Sequence, residues 1–256
     1  GGFSPSQQAA FNALQQSLPD LVMRGDANLG VPSFLSNPGS FLTEGSSSTA
    51  DMIARGFIVN NAQLFGLTGV DLKGVAVDKG HISSASGLAH VYIRQQFAGM
   101  EVLYARANVS VNATGRVLVV GNSLVPDVAG SLNTLVPSIS PTQAVLQAAS
   151  RLGVTPNGNL GVLTPPASSD QAQTLGDGGI SRDPISARLV VVPITRGQAR
   201  LAWNLVINMT NSADWWSINI DAVTGAELSR YNYTSYDSYR VFAEPQHRRE
   251  RLRRHE

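Results

Sequence analysis

The sequence predicts an α+β fold: two successive modules, each a helix followed by an antiparallel sheet. Two observations carry this expectation. Apolar residues recur with a helical period and then switch to alternation, once over residues 48–124 and again over 140–233. Each cycle also ends in the same short hairpin, "NVSVNATGRVLVV" (Asn108–Val120) and "WSINIDAVTGAELSRY" (Trp216–Tyr231). The 256 residues, 43% hydrophobic with a mean hydropathy of −0.02, are enough to bury a core in one large domain or two small modules.

Residues 1–47 read as an N-terminal arm. It starts with a short helix in which Ser4 caps, Pro5 takes the first helical position, and Phe11, Leu14 and Leu18 share a face. The remainder of the arm, rich in Gly, Pro, Asn and Ser, reads as irregular. The first module, 48–135, opens with a helix over Ser48–Leu67. Ser48 or Thr49 caps it, and Met52, Ile53, Phe57, Leu64 and Phe65 form its stripe. Asn60 and Asn61 interrupt that stripe, and Gly66 suits its end. Thr68–Gly87 reads as loop. From Ala89 three strands follow, with turns at Ala98-Gly99 and Asn112–Gly115. Alternation along the middle strand places Val102, Tyr104, Arg106, Asn108 and Ser110 on one face. Leu103, Ala105, Ala107, Val109 and Val111 then lie on the other. A sheet with one apolar face needs a cover, and the preceding helix supplies it.

The second module, 136–234, opens with "SPTQAVLQAASRLG": Ser140 as cap, Pro141 at N1, Gln143 at N3 and Gly153 past the end. Ala144, Val145, Ala148, Ala149 and Leu152 make its apolar stripe. Residues 157–186, rich in Gly, Pro and Ser, are too long for a plain connection and read as a mobile insertion. Four short strands follow, "ARLVVVPI", "QARLAWNLVIN", "DWWSINID" and "AELSRYNY". Gly115 and Gly225 supply the positive φ that tight hairpins require. Residues 235–256 form a junction and a basic tail.

Composition narrows the function. Charged residues make up 14%, against about 25% in typical soluble domains. The absence of cysteine removes disulfides, thiolate zinc sites and cysteine nucleophiles together. No apolar run approaches the ~20 residues of a membrane helix, and "GGFSPSQQAAF" lacks the features of a signal peptide. The net charge of +1 is uneven: the tail His247–Glu256 carries +3, which leaves the body at −2. The body therefore has no electrostatic footprint for nucleic acid. The tail reads as a solvated linker, processing region or added segment in preference to a membrane or nucleic-acid patch.

No catalytic constellation is present. The four histidines, His81, His90, His247 and His255, show no H-E-x-x-H and no paired spacing on a helix. There is no G-x-S-x-G, no Walker A and no Rossmann glycine pattern. Asp214, Asp221 and Glu227 sit near turns and read as hairpin chemistry. Four N-x-[ST] sequons, at Asn108, Asn112, Asn208 and Asn232, are possible N-glycosylation sites in a eukaryotic secretory protein. Trp203, Trp215 and Trp216 read as packing residues. Adjacent Trp215 and Trp216 must face opposite ways in a strand, so one is less buried.

With this layout, the chain resembles the propeptide of fungalysin-type secreted zinc metalloproteases, related more distantly to thermolysin propeptides. The fungalysin/thermolysin propeptide (FTP) module is similar to Asp51–Leu124. Its themes fall on Tyr92, Arg94, Gln95, Gln96, Gly99 and Val102, then on Asn112, Gly115, Arg116 and Val117. A PepSY-like module resembles Ser140–Tyr233 through "SPTQAVLQAASRLG", the Ala202-Trp203 pair and "DAVTGAEL". The implied fold is cystatin-like/PepSY-like.

The resemblance implies a non-catalytic prodomain that inhibits a secreted zinc metalloprotease and assists its folding. The partner is that protease's catalytic domain, in cis or in trans, with neither nucleic acid nor membrane. No cofactor belongs to this chain; the partner is expected to bind zinc. Localisation is then secreted or periplasmic. Strand addition into the protease cleft points to the extended segment "AELSRYNYTSYDSYRV", with Tyr231, Tyr233, Tyr236 and Tyr239 as contacts. The alternative is a free-standing secreted module that binds peptides or proteases in trans.

Overall fold

The computed structural model describes residues 2–82 and 87–234. The tail, with Tyr236, Tyr239, His247 and His255, lies outside them. Helix α1 (Pro5–Ser17) forms as expected, closed by a capping box between Ser4 and Gln7. Phe11, Leu14 and Leu18 face the core of the first module. The rest of the arm departs from the expected irregular chain: strands β1 (Val22–Asp26) and β2 (Val31–Ser36) form a hairpin. Short runs containing Gly25 and Pro32 read as loop, yet Val31 and Leu35 are fully buried.

The helix expected over 48–67 is two helices, α2 (Ala50–Asn60) and α3 (Ala62–Phe65). They break at Asn61, whose side-chain amide donates to the Phe57 carbonyl at 2.8 Å. Gly66 ends α3 in the left-handed region, at φ +69°. The stretch read as loop, Thr68–Gly87, instead yields helix α4 (Gly69–Gly74) and strand β3 (Val75–Ile82). Asp71 is responsible for much of this order. One carboxylate oxygen caps α4 at the Thr68 N–H, 2.8 Å, and hydroxyl, 2.8 Å. The carboxylate also accepts the Asp127 N–H at 2.9 Å and the Val128 N–H at 3.0 Å.

Strands β4 (Ala89–Phe97), β5 (Met100–Val111) and β6 (Val117–Asn122) form the expected meander. Ala98 and Gly99, at φ +50° and +78°, make the first turn. Helices α2 and α3 cover one face: Phe57, Ile58, Phe65, Val91, Ile93, Ala107, Val109 and Val120 share one buried cluster. The alternation expected along β5 does not hold throughout. Val102 lies in the covered core with Ala105, and Leu103 lies on the opposite side with Val190 and Val192. The cause is Tyr104, whose φ of +62° inserts an extra step into the strand. Opposite the kink, buried Gln95 drops out of register and clamps Val125 instead. Its oxygen accepts the Val125 N–H at 2.8 Å and its amide donates to the Val125 carbonyl at 2.9 Å.

A short helix, α5 (Val128–Ser131), leads to the second module and helix α6 (Pro141–Arg151). Helix α6 has the Ser140–Gln143 capping box, and Gly153 follows at φ +71°. The segment expected to be a mobile insertion is built into the sheet. It holds β7 (Val162–Thr164) and β8 (Gln173–Leu175), and β8 pairs with β9 (Ile185–Thr195). Leu175, Ile180 and Ile185 anchor it, isolated apolar residues that a Gly/Pro/Ser background conceals. Strands β10 (Gln198–Asn208), β11 (Trp215–Asp221) and β12 (Glu227–Asn232) complete the meander. Trp203 is buried beneath α6 and donates its indole N–H to the Ile139 carbonyl at 3.0 Å.

The two modules share one sheet, in the order β1-β2-β6-β5-β9-β10-β11-β12. The joint is parallel pairing of Glu101 with Val190 and Val102 with Val191. The arm reinforces it, because the Asn28 carbonyl accepts the Arg196 N–H at 2.9 Å.

Asp71→Ala should cost roughly 2–4 kcal/mol, because it strands buried backbone donors and uncaps α4 together. Urea unfolding at neutral pH checks this.

Candidate partner-binding surface

One face of the sheet is packed against helices; on the other, Leu103, Val190, Val192 and Ala202 form a small buried cluster at the seam, beside a polar and aromatic groove. On the second module this other face alternates with the core. Ser217 and Asn219 point outward where Ile218 and Ile220 point in, as period two dictates. The outward amides bond to one another. Asn204 donates to the Ser217 hydroxyl at 2.9 Å and to the Asn219 carbonyl oxygen at 2.8 Å, and Asn219 donates to the Ser229 hydroxyl at 3.0 Å. A groove of about 350 Å³ lies over them, lined at its rim by Tyr104, Arg106, Arg188, Tyr231 and Tyr233.

Tyr231 and Tyr233 belong to the C-terminal edge. β12 pairs with β11 on one side, and its other edge carries no strand among the described residues. Tyr231 is 61% exposed and Tyr233 53% exposed. The two rings meet edge-to-face at 5.4 Å, and Tyr233 meets Trp215 at 5.6 Å. Trp215 is the exposed member of the tryptophan pair, and Trp216 packs toward the core beneath Arg230. The exposed strip of Trp215, Tyr233 and Tyr231 therefore lies beside an open strand edge.

Across the seam runs a chain of alternating charges. Arg94 faces Asp78 at 3.8 Å, Asp78 faces Arg106 at 3.9 Å, Arg106 bonds Glu101 at 3.3 Å, and Glu101 bonds Arg188 at 2.6 Å. Sequence reading did not find this chain, since its members come from β3, β4, β5 and β9.

The remaining polar residues that the sequence singled out have structural partners. Asp221 is buried and organises its hairpin: one oxygen accepts the Val223 and Thr224 N–H groups at 2.9 and 2.8 Å, and the other accepts from Arg200 at 2.7 Å. Burial alone would raise its pKa. Arg200 and the two backbone donors outweigh burial and hold the carboxyl below its ordinary value. Asp214 accepts from Asn232 at 2.7 Å, Glu227 pairs with Arg230, and His90 shares a hydrogen bond with Ser110. Gly115 and Gly225 sit at φ +71° and +74°, and a Cβ at 115 would collide with the Ser46 carbonyl. Among the sequons, Asn208 donates to Asp183 and Asn232 to Asp214, and the buried Asn108 oxygen has no partner among the described residues. Asn112 spends its oxygen on the Thr114 and Arg116 N–H groups, and its amide nitrogen has no hydrogen-bond partner among the described residues. Among the described residues, no three His, Cys, Asp or Glu side chains gather as a metal site would need.

The surface offers contact area: an exposed aromatic strip, an open strand edge and a groove. Comparison with known proteins finds a matching motif. Residues 74–124, spanning β3 to β6, match the Fungalysin/Thermolysin Propeptide Motif. The chain is 25% identical over 164 residues to the extracellular metalloproteinase MEP of Leptosphaeria maculans, covering 63% of this chain and 25% of that protein. It is 28% identical over 170 residues to extracellular metalloproteinase 5 of Arthroderma otae, covering 64% and 26%. The chain therefore spans about a quarter of the length of these relatives. Among solved structures, the Bacillus megaterium YpeB C-terminal domain aligns with 91% of this chain and 100% of its own. With a TM-score of 0.34 and 14% identity, that likeness is too loose to carry an argument. Residues 74–124 carry a propeptide motif of the fungalysin/thermolysin type, and the resemblance read from Tyr92, Arg94, Gln95, Gln96, Gly99, Asn112 and Gly115 stands. No described helix is long and apolar enough to cross a membrane.

The Asp221 carboxyl sets an acid limb of stability. Its depressed folded pKa contributes stability that is complete above the unfolded value of about 4 and is lost as pH falls through the folded value. Asp221→Asn should flatten the decline in unfolding free energy between about pH 4.5 and pH 2, measured by urea titration across that range.

Proposed function

We propose that this chain is the non-catalytic prodomain of a secreted zinc metalloprotease, which it inhibits and helps to fold. The supporting observation is the open edge of β12 flanked by Trp215, Tyr231 and Tyr233. A protease cleft accepts an extended backbone by strand addition. Exposed tyrosines add large contact area at low entropic cost. Tyr236 and Tyr239, outside the described residues, belong to the same docking segment in this reading. The units 48–135 and 136–234 act together as a broad clamp, and 1–47 braces their joint. Attachment in cis would raise the effective concentration of the contact. Folding assistance follows from the same binding, because a partner that prefers the native protease stabilises it by mass action.

Secretion accompanies this role, and of the four sequons Asn112 is the one we assign a glycan in a eukaryotic secretory host. Ala113 and Thr114 of its turn are exposed, and its amide nitrogen has no partner among the described residues. Expression in a glycosylating yeast should give one glycan, lost in Asn112→Gln, by intact mass.

Tyr231→Ala with Tyr233→Ala should weaken inhibition of the source organism's extracellular metalloprotease, freed of its own propeptide, by at least about tenfold. The melting temperature should change little, since both rings are exposed. Unchanged potency would defeat the edge as the contact.

A further inference from the structure

We propose that the groove at the seam between the modules is a second docking surface, and that its occupant is an acidic loop of the partner protease. This rests on the reading that the chain binds such a protease. Three observations carry it. First, the charge chain begins and ends in arginine, so three guanidinium groups share two carboxylates. The arginine side chains are 45%, 57% and 38% exposed, while Asp78 and Glu101 are 34% and 21% exposed. An approaching partner therefore meets cationic donors, on a body whose net charge is −2. Exposed ion pairs contribute little to stability, so stability alone does not account for the array. Closing it off from water strengthens each charge contact.

Second, the left-handed backbone at Tyr104 serves the phase change in β5, but its ring joins neither core. Tyr104 holds φ +62°, a region costly for a bulky side chain, and its ring stays 61% exposed at the rim of the groove. A large aromatic ring left exposed at the rim of a groove is of the residue type enriched in interfaces. Third, the groove presents aromatic walls from Tyr104, Tyr231 and Tyr233 and the amides of Asn204 and Asn219 beneath. A carboxylate set between Arg106 and Arg188 would receive donors from both, with its flanking backbone laid across the tyrosines.

The test is binding of the full chain to the source organism's metalloprotease, freed of its own propeptide, at low and high salt (about 0.05 and 0.5 M NaCl). Wild-type affinity should fall as salt rises. Arg106→Glu with Arg188→Glu should weaken low-salt binding at least about tenfold and flatten the salt dependence. The matched lysine replacements should keep most of the affinity, which separates charge from fold. Tyr104→Gly should weaken binding several-fold while the melting temperature stays level or rises, as strain is released. If these variants and salt leave affinity unchanged while the Tyr231/Tyr233 variant still loses it, this surface is overturned and the edge contact stands. A wild-type chain that does not bind the protease at all overturns both.

Discussion

One strand holds the molecule together. β5 belongs to both modules: its first residues pair in parallel with β9 and its remainder pairs with β4 and β6. An unbroken strand could not serve both cores, because a fixed alternation would send either Val102 or Ala107 to the wrong face. The left-handed backbone at Tyr104 resets the phase, so Val102 and Ala105 enter one core and Ala107, Val109 and Val111 the other. Ser123 meets the backbone groups at the kink: its hydroxyl donates to the Tyr104 carbonyl at 2.6 Å and accepts the Arg106 N–H at 3.2 Å. The division of β5 between the two cores follows from that single departure.

Much of this architecture was legible in the sequence where local chemistry is self-contained. Capping boxes at Ser4 and Ser140, the hairpins at Gly115 and Gly225, and the opposed directions of Trp215 and Trp216 depend on neighbours within a few residues. What escaped depends on distant partners. β1, β2, β7 and β8 are short runs broken by Gly, Pro or polar residues, and they become strands through the pairing that sheet neighbours offer. Asp71 looks like an ordinary first-turn acid until Asp127 and Val128 come to meet it. The kink at Tyr104 has no sequence signature, since tyrosine is among the residues least expected at positive φ. The candidate surface was half legible: its tyrosine strip was read from alternation, and its charge chain was not.

The polar groups most suggestive of chemistry are spent on structure. Asp221 closes a hairpin, His90 bonds a serine across the sheet, and the sequon asparagines 208 and 232 hold neighbouring carboxylates. The features without a structural debt are exposed: the edge of β12, three aromatic rings beside it, and arginines outnumbering their carboxylates. That division, together with the propeptide motif at 74–124, supports the proposal that the molecule grips a neighbour.

Hydrogen–deuterium exchange of the chain, alone and with the metalloprotease, addresses that assignment most directly. The account predicts slowed exchange along Glu227–Thr234, with smaller protection around Leu103–Arg106 and little change in α1, α2 or α6. Protection confined to the helical face, with β12 exchanging as in the free chain, would contradict it.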